Sequence, residues 1–206
     1  MSETTRWWWI RHAPVSEMVG KLYGALDVDC DVSDQPAFER LAEALPDQAL
    51  WLCSQLSRTH KTARAIGEAG LDHPEPLLEA DLAEQDFGSW QGLSWDEMKT
   101  RDEALYTQFW ENPAENAPPG GESFAALIER VGRVIDQYTQ DHQGRDIVCV
   151  AHGGTIRAAI AHALDLDATK AMAFQIDNLS LTRLDHIEAG LLQGSGSNWR
   201  ISIINS

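Results

Sequence analysis

Two histidines of this 206-residue chain stand where apolar segments end, and two arginines stand at or shortly after the ends of such segments. Arg11 and His12 close an aromatic segment, and His152 directly follows a second apolar run. Arg58 comes shortly after a third. In an open α/β sheet, ligands bind beyond the carboxyl ends of the strands, so we expect these four side chains to converge on one site.

These residue types suit the capture and transfer of an anion such as a phosphoryl group. Gly153 and Gly154 follow His152, so the backbone can approach a ligand closely and a helix N-terminus can offer N–H groups to an anion. Arg58 near the start of a helix opposes the helix dipole unless an anion lies nearby, and a guanidinium can hold two phosphate oxygens. Each feature alone also fits a structural role: a hydrogen-bonded histidine, a tight glycine turn, a surface arginine.

Transfer of a phosphoryl group to a side chain needs a nucleophile and a proton donor for the leaving oxygen. Glu84 is the candidate donor, since it lies in a segment with two glycines and two aromatic residues, which is typical of a packed loop. Asp86 is the alternative. No glycine-rich nucleotide-binding loop and no cluster with metal-ligand spacing occurs, so we expect neither cofactor nor metal.

Charge and cysteine content exclude several classes of protein. Sixteen basic and thirty-two acidic residues give a net charge of −16, which repels nucleic acid and anionic membranes. A phosphorylated substrate therefore needs a local cationic pocket. The three widely spaced cysteines favour a reducing cytoplasm over a disulfide framework or a zinc site. Neither a signal peptide nor a membrane span is indicated, so we expect a cytoplasmic protein.

The elements that must position these residues alternate between strands and helices. Short apolar runs predict buried strands at residues 6–11, 49–53 and 146–151. Helical periodicity or a glycine stop predicts helices at residues 59–69, 124–138 and 155–164, with Ser123 as an N-cap. Residues 180–186 and 199–203 alternate in polarity around Gly194-Ser195-Gly196-Ser197 and predict a terminal antiparallel hairpin.

This alternation predicts an α/β fold: a three-layer α/β/α sandwich with a mostly parallel central sheet and an antiparallel edge strand. Residues of about 81–119 fit the alternation poorly, since they hold aromatic and acidic residues but no clear strand. We interpret them as a helical insertion over the active site, and residues 1–206 as a single domain with this insertion as its lid.

Taken together, the motifs resemble the histidine phosphatase superfamily, the phosphoglycerate mutase-like proteins. The motifs are Arg11-His12-Ala13, Ser54-x-Leu56-x-Arg58-Thr59 with Thr62-Ala63, Glu84 before Phe87-Gly88-x-Trp90-x-Gly92, and Ala151-His152-Gly153-Gly154. Their order and spacing match the family along the chain. Ala13 departs from the glycine usual in the family, and this costs little unless the backbone there needs a positive φ.

The resemblance implies a phosphatase mechanism and a role for each matching residue. His12 is implied as the nucleophile that becomes phosphohistidine, and Glu84 as the donor that later activates water. The residues implied to bind the phosphoryl oxygens are Arg11, Arg58, His152 and Gly153.

Residues 87–92, 95–97 and 118–123 are similar to the α-ribazole phosphatase branch, which makes α-ribazole 5'-phosphate a candidate among small phosphorylated metabolites. Tyr23, Gly24 and Trp90 are the predicted substrate contacts. Trp95 and Trp110 could join them in stacking on a flat ring, or these aromatic side chains could simply form the core of the lid.

Two other functions are compatible with the sequence. One is phosphoglycerate mutase-type transfer, which the short segment after the last predicted strand disfavours. Another is a non-catalytic protein that binds a phosphorylated ligand. The sequence is also compatible with a homodimer.

Overall fold

A six-stranded sheet forms the centre of the computed structural model, which describes residues 3–192 and 197–206. The strands are β1 (Thr4–Arg11), β2 (Leu50–Cys53), β3 (Leu77–Leu78), β4 (Asp146–Ala151), β5 (Leu181–Ile187) and β6 (Trp199–Ile203). Their order across the sheet is β3-β2-β4-β1-β5-β6. The first four are mutually parallel, and β5 runs antiparallel to both β1 and β6.

The predicted fold class is confirmed. The three apolar runs form the adjacent strands β2, β4 and β1, and the last two segments form the β5–β6 hairpin at one edge of the sheet. Residues 194–196 of the predicted turn lie outside the described residues. Because β1, β2 and β4 are parallel, their carboxyl ends meet at one edge of the sheet, where the motif residues begin.

Helices cover both faces of the sheet. They are α1 (Gln35–Ala44), α2 (Ser57–Glu68), α3 (Trp95–Arg101), α4 (Glu103–Glu111), α5 (Phe124–Asp141), α6 (Gly153–Leu164) and α7 (Ala168–Ala171). Alternate residues of a strand point to opposite faces, so Trp7 and Trp9 pack with residues of α5 and α6, and Ile10 packs with residues of α1 and α2. Among the described helices none is long and apolar enough to span a membrane.

Some boundaries differ from those predicted. Helix α6 begins at Gly153, two residues earlier than expected, because the first turn of a helix tolerates glycine; His152 is its N-cap. Ser123 caps α5 as predicted, accepting a hydrogen bond from the amide of Ala126. The prediction omitted α1, although Asp34 caps it and a proline stands in its first turn. It also omitted the two-residue strand β3, which is too short to show a pattern.

Residues 81–119 hold α3 and α4 with short 3-10 turns before them, and no β-strand. A small apolar cluster of Trp90, Met98 and Phe109 lies at their centre. Residues 88–89 and 119 of this segment lie side by side. The amide of Ser89 donates to the carbonyl of Pro119 (2.9 Å), and a Cβ at Gly88 would collide with that carbonyl.

Candidate active site

His12 lies directly after β1 and is 1% exposed. Its Nδ1 is 2.7 Å from the carbonyl of Ala13, so this nitrogen carries the proton and Nε2 keeps its lone pair. Burial, with a contribution from the nearby Arg58 guanidinium, lowers the pKa of His12 to about 3. The ring is therefore neutral near pH 7, with Nε2 able to act as a nucleophile.

Ala13 fits this position without backbone strain. It is absent from the residues with positive φ, and its amide donates to Oγ1 of Thr62 at 2.9 Å. The departure from glycine therefore leaves the contact with the His12 ring intact.

Arg58 is fully buried at the start of α2. Its Nη1 donates to the carbonyl of Leu26 (2.6 Å), its Nη2 to that of Gly24 (2.7 Å), and its Nε to Nδ1 of His152 (3.2 Å). Of the five N–H bonds of a guanidinium, these contacts use three. The group is held rigidly, and within the part of the chain that the structure describes one N–H on each terminal nitrogen remains for a ligand.

His152 stands beside His12, with ring centroids 5.2 Å apart. Its Nε2 is 2.8 Å from Oγ of Ser54, and Nδ1 accepts from Arg58. Burial, together with the Arg58 charge, holds the pKa of His152 well below its usual value. Both ring nitrogens are thus engaged by protein groups, and the ring orients Arg58.

Arg11 completes a group that we call the phosphate cradle: Arg11, His12, Arg58 and His152. Its Nη1 donates to the carbonyl of Ile176 at 2.6 Å, whereas its buried Nε has no hydrogen-bond partner among the described residues. A Cβ added at Gly153 would lie 3.5 Å from that Nε. The predicted phosphate-binding residues therefore come together at the N-terminus of α6, a position that favours an anion.

Glu84 borders the cradle. Its Oε1 accepts from the amide of Gln85 (2.9 Å) and its Oε2 from the amide of Gly154 in α6 (3.1 Å). A Cβ at Gly154 would collide with this carboxylate. The Asp86 carboxylate instead accepts a hydrogen bond from the amide of Gly88 (2.8 Å), which stabilises the turn that contains both residues.

Sequence reasoning missed the residue that holds the Glu84 segment in place. Arg130 of α5 donates to the carbonyls of Asp81, Ala83 and Glu84, and it pairs with Glu122 at 2.6 Å. Arg130 lies within a predicted helix, but no local pattern indicates contacts 46 to 49 residues away.

A cavity of about 350 Å³ lies beside the cradle, and we call it the aromatic chamber. Its aromatic lining comprises Tyr23, Phe87, Trp90, Trp95, Phe109, Trp110 and Phe124, and the wall also includes Gly24, Glu84, Gly154 and Arg157. The three predicted substrate contacts thus lie in its wall.

The predicted substrate contacts differ in their surroundings. Trp90 is buried, with its ring 5.1 Å from that of Phe109, so it packs within the insertion as well as lining the chamber. Trp95 and Trp110 are 48% and 42% exposed, and their rings are 5.9 Å apart. Tyr23 faces the cradle, with its ring centroid 5.3 Å from the Arg58 guanidinium carbon.

Gly24 has a structural reason to be glycine. Its φ is +44°, and a Cβ there would lie 2.6 Å from the carbonyl of Gln85. Its carbonyl also holds Arg58, so the close approach of this turn helps to fix the cradle.

The model of the histidine phosphatase superfamily (branch 1) matches residues 7–193. The chain belongs to this superfamily. The resemblance of the sequence motifs is thereby confirmed, and a phosphorylated small molecule fits the family as substrate.

Similar proteins agree with this membership. The chain is 30% identical over 182 residues to phosphoserine phosphatase 1 of Hydrogenobacter thermophilus, a match that spans 87% of this chain and 85% of that one. Its fold is similar to mycobacterial glucosyl-3-phosphoglycerate phosphatase, with a TM-score of 0.81, 26% identity and coverage of 98% and 99%.

The fold is also similar to the α-ribazole phosphatase of Shigella flexneri, with a TM-score of 0.81, 24% identity and coverage of 98% and 96%. Membership of the histidine phosphatase superfamily supports a phosphatase activity. The similarity to phosphoserine phosphatase 1 supports it as well.

Proposed function

We propose that the protein is a phosphomonoesterase that works through a phosphohistidine at Nε2 of His12, without metal ion or cofactor. The observation that carries the proposal is the state of His12: neutral, fixed in one tautomer by Ala13, and flanked by two arginines. A neutral imidazole with its Nε2 lone pair free has the electronic form that attack on phosphorus requires.

In the first step, Nε2 of His12 attacks the phosphorus atom, and the bond from phosphorus to the ester oxygen breaks. Arg11 and Arg58 stabilise the charge that spreads over the phosphoryl oxygens, because their N–H groups are already positioned. Glu84 in its protonated form gives its proton to the departing alkoxide, so an alcohol leaves.

In the second step, water attacks the phosphohistidine. Glu84, now a carboxylate, takes a proton from the water, the P–N bond breaks, and its electron pair returns to Nε2 of His12. The products are inorganic phosphate and the regenerated enzyme. The geometry supports Glu84 over Asp86 as the donor, because Glu84 lines the chamber next to α6 whereas Asp86 is engaged in a turn.

The substrate in this proposal is a small phosphorylated metabolite, with α-ribazole 5'-phosphate as a candidate. The exposed rings of Trp95 and Trp110 are suited to stack on a flat group such as a benzimidazole. In the same proposal residues 81–119 are the lid of a single domain, and Tyr23, Gly24 and Trp90 form the wall that the alcohol part contacts.

The test is hydrolysis of p-nitrophenyl phosphate in excess chelator by the wild type, His12→Ala and the control His142→Ala. His142 caps the far end of α5 and is remote from the cradle. We expect turnover by the wild type and the control and none by His12→Ala. Trapping of an acid-labile phosphoenzyme should follow the same pattern.

A panel of α-ribazole 5'-phosphate, phosphoserine and 3-phosphoglycerate then ranks substrates. Turnover that chelator abolishes, or that survives in His12→Ala, would refute the mechanism. Turnover that requires a bisphosphorylated primer would favour a mutase, and phosphate binding without turnover would favour a binding protein.

A further inference from the structure

Arg157 lies in the aromatic chamber and has no part in the proposed reaction so far. It stands on α6 four residues after Gly153 and three after Gly154, so it shares the face of the helix that meets the site. Its Nε donates to the carbonyl of Phe174 at 2.6 Å, which fixes the base of the guanidinium.

The outer part of this guanidinium is unpaired. Within residues 3–192 and 197–206, the hydrogen bond of the Arg157 guanidinium is the one from Nε, and the Glu84 carboxylate acts on it through space without an ion-pair contact. The side chain is nonetheless partly buried. A partly buried cation without a partner is costly, and an arginine keeps its charge at any ordinary pH.

Glu84 does not hydrogen-bond the terminal nitrogens of Arg157, although its charge partly offsets the lowering of the Arg157 pKa by burial. The carboxylate of Glu84 accepts backbone hydrogen bonds from Gln85 and Gly154 instead. Lys21, the other cation of the chamber, is exposed at the surface. Arg157 is therefore the partly buried positive charge of the chamber.

Arg157 also belongs to the chamber rather than to the cradle. The four cradle side chains are absent from the lining of the cavity, whereas Glu84 and Gly154 border both regions. A phosphoryl group held beside His12 would thus place the alcohol part of the ester in the chamber, with the rings of Trp95 and Trp110 in the lining along with Arg157.

We propose that Arg157 binds a second anionic group of the substrate, a carboxylate on the alcohol part of the phosphate ester. The inference rests on the proposed phosphatase function and narrows its substrate class to phosphomonoesters of carboxylated alcohols, a class that leaves out α-ribazole 5'-phosphate because that ester has no carboxylate. A guanidinium suits this task because its terminal N–H groups can bind both carboxylate oxygens.

The experiment compares kcat/KM within two pairs of esters that differ in one charge: phosphoserine against phosphoethanolamine, and 4-carboxyphenyl phosphate against 4-carbamoylphenyl phosphate. The wild type should prefer the carboxylated member by about tenfold or more in at least one pair, as a charge-assisted hydrogen bond allows. Arg157→Gln should remove that preference, and Arg157→Lys should restore part of it.

The ratio within a pair separates recognition from folding, because a loosened structure lowers turnover of both members. Arg64→Gln, a substitution of an exposed arginine on α2, should keep the wild-type ratio. The proposal is overturned if the wild type shows no preference in either pair, or if the preference persists in Arg157→Gln.

Failure of the phosphatase proposal has a separate signature. If the wild type turns over none of the four esters and no p-nitrophenyl phosphate, that proposal fails. Calorimetric titration with phosphonoacetate and methylphosphonate then tests Arg157 alone. Tighter binding of phosphonoacetate that Arg157→Gln abolishes would support the carboxylate site, and equal binding would refute it.

Discussion

The phosphate cradle and the aromatic chamber lie next to each other, yet they are held in opposite ways. Cradle side chains end or follow β1 and β4 or begin α2, and buried hydrogen bonds fix the rings of His12 and His152 and the Nε of Arg58. Chamber side chains come largely from the insertion, where Trp95 and Trp110 are about half exposed. Under our proposal, the rigid region carries the chemistry common to all substrates, and the exposed region distinguishes one alcohol from another.

Glu84 links the two regions, and its substitution should have the largest effect that depends on the substrate. Glu84→Gln should slow hydrolysis of an alkyl phosphate by about 10²–10⁴-fold, since the poor leaving group needs a proton. Hydrolysis of p-nitrophenyl phosphate should slow far less, because nitrophenolate leaves unprotonated. Equal slowing of both esters would remove the donor role.

A cradle substitution should instead affect all esters alike. Arg58→Lys should lower kcat/KM by about 10²–10³-fold for alkyl and aryl phosphates, because the hydrogen bonds aimed at the phosphoryl oxygens are lost. Steady-state kinetics on both ester types checks this. A loss confined to one ester type would mean that Arg58 contacts the alcohol part.

Gly154→Ala tests the junction between the regions. The added methyl group collides with the Glu84 carboxylate, so we expect a loss of about tenfold for alkyl phosphates, through reduced proton transfer, and a smaller loss for p-nitrophenyl phosphate. Gly67→Ala, in the interior of α2, is the matched control and should retain activity. A variant with unchanged kinetics would show that Glu84 has room to shift.

The buried cradle histidines should make stability depend on pH. The pKa of His12 in the folded state is about 3, below its unfolded value of about 6.5. Between these values the unfolded chain binds a proton that the folded chain does not, so stability falls as the pH falls. We expect the free energy of unfolding to drop by about 1.4 kcal/mol per pH unit for this residue.

Urea denaturation between pH 6.5 and 5 measures that slope, and His12→Gln should reduce it. An identical slope in the variant would show that His12 titrates normally in the folded protein.

The smallest effect should come from the chamber wall. Trp110→Ala should raise KM for a ring-bearing ester by roughly two- to tenfold, the size of one stacking contact, and should leave glycerol 3-phosphate unaffected. Comparison of the two esters in one preparation checks this. Equal changes of KM for both esters would indicate that Trp110 only packs within residues 81–119 and does not contact the substrate.

The sequence predicted the cradle better than the chamber, for a physical reason. Parallel neighbouring strands end at the same edge, so recognising the strands before His12 and His152 was enough to bring these residues together. The contacts of Arg130 and Arg157 join distant parts of the chain, and the spacing of apolar residues within a helix does not indicate them. Trp90 shows the same limit, because spacing could not distinguish packing within the insertion from a place in the chamber wall.

Gly88 and Pro119 bracket most of residues 81–119, and their backbones touch. Since this stretch leaves and returns at one place, its length could change without moving the strands, because longer loops add little closure entropy. We therefore expect the segment between Gly88 and Pro119 to be exchangeable. Replacing it with the corresponding segment of a related phosphatase should transplant substrate preference while the sheet and cradle stay in place.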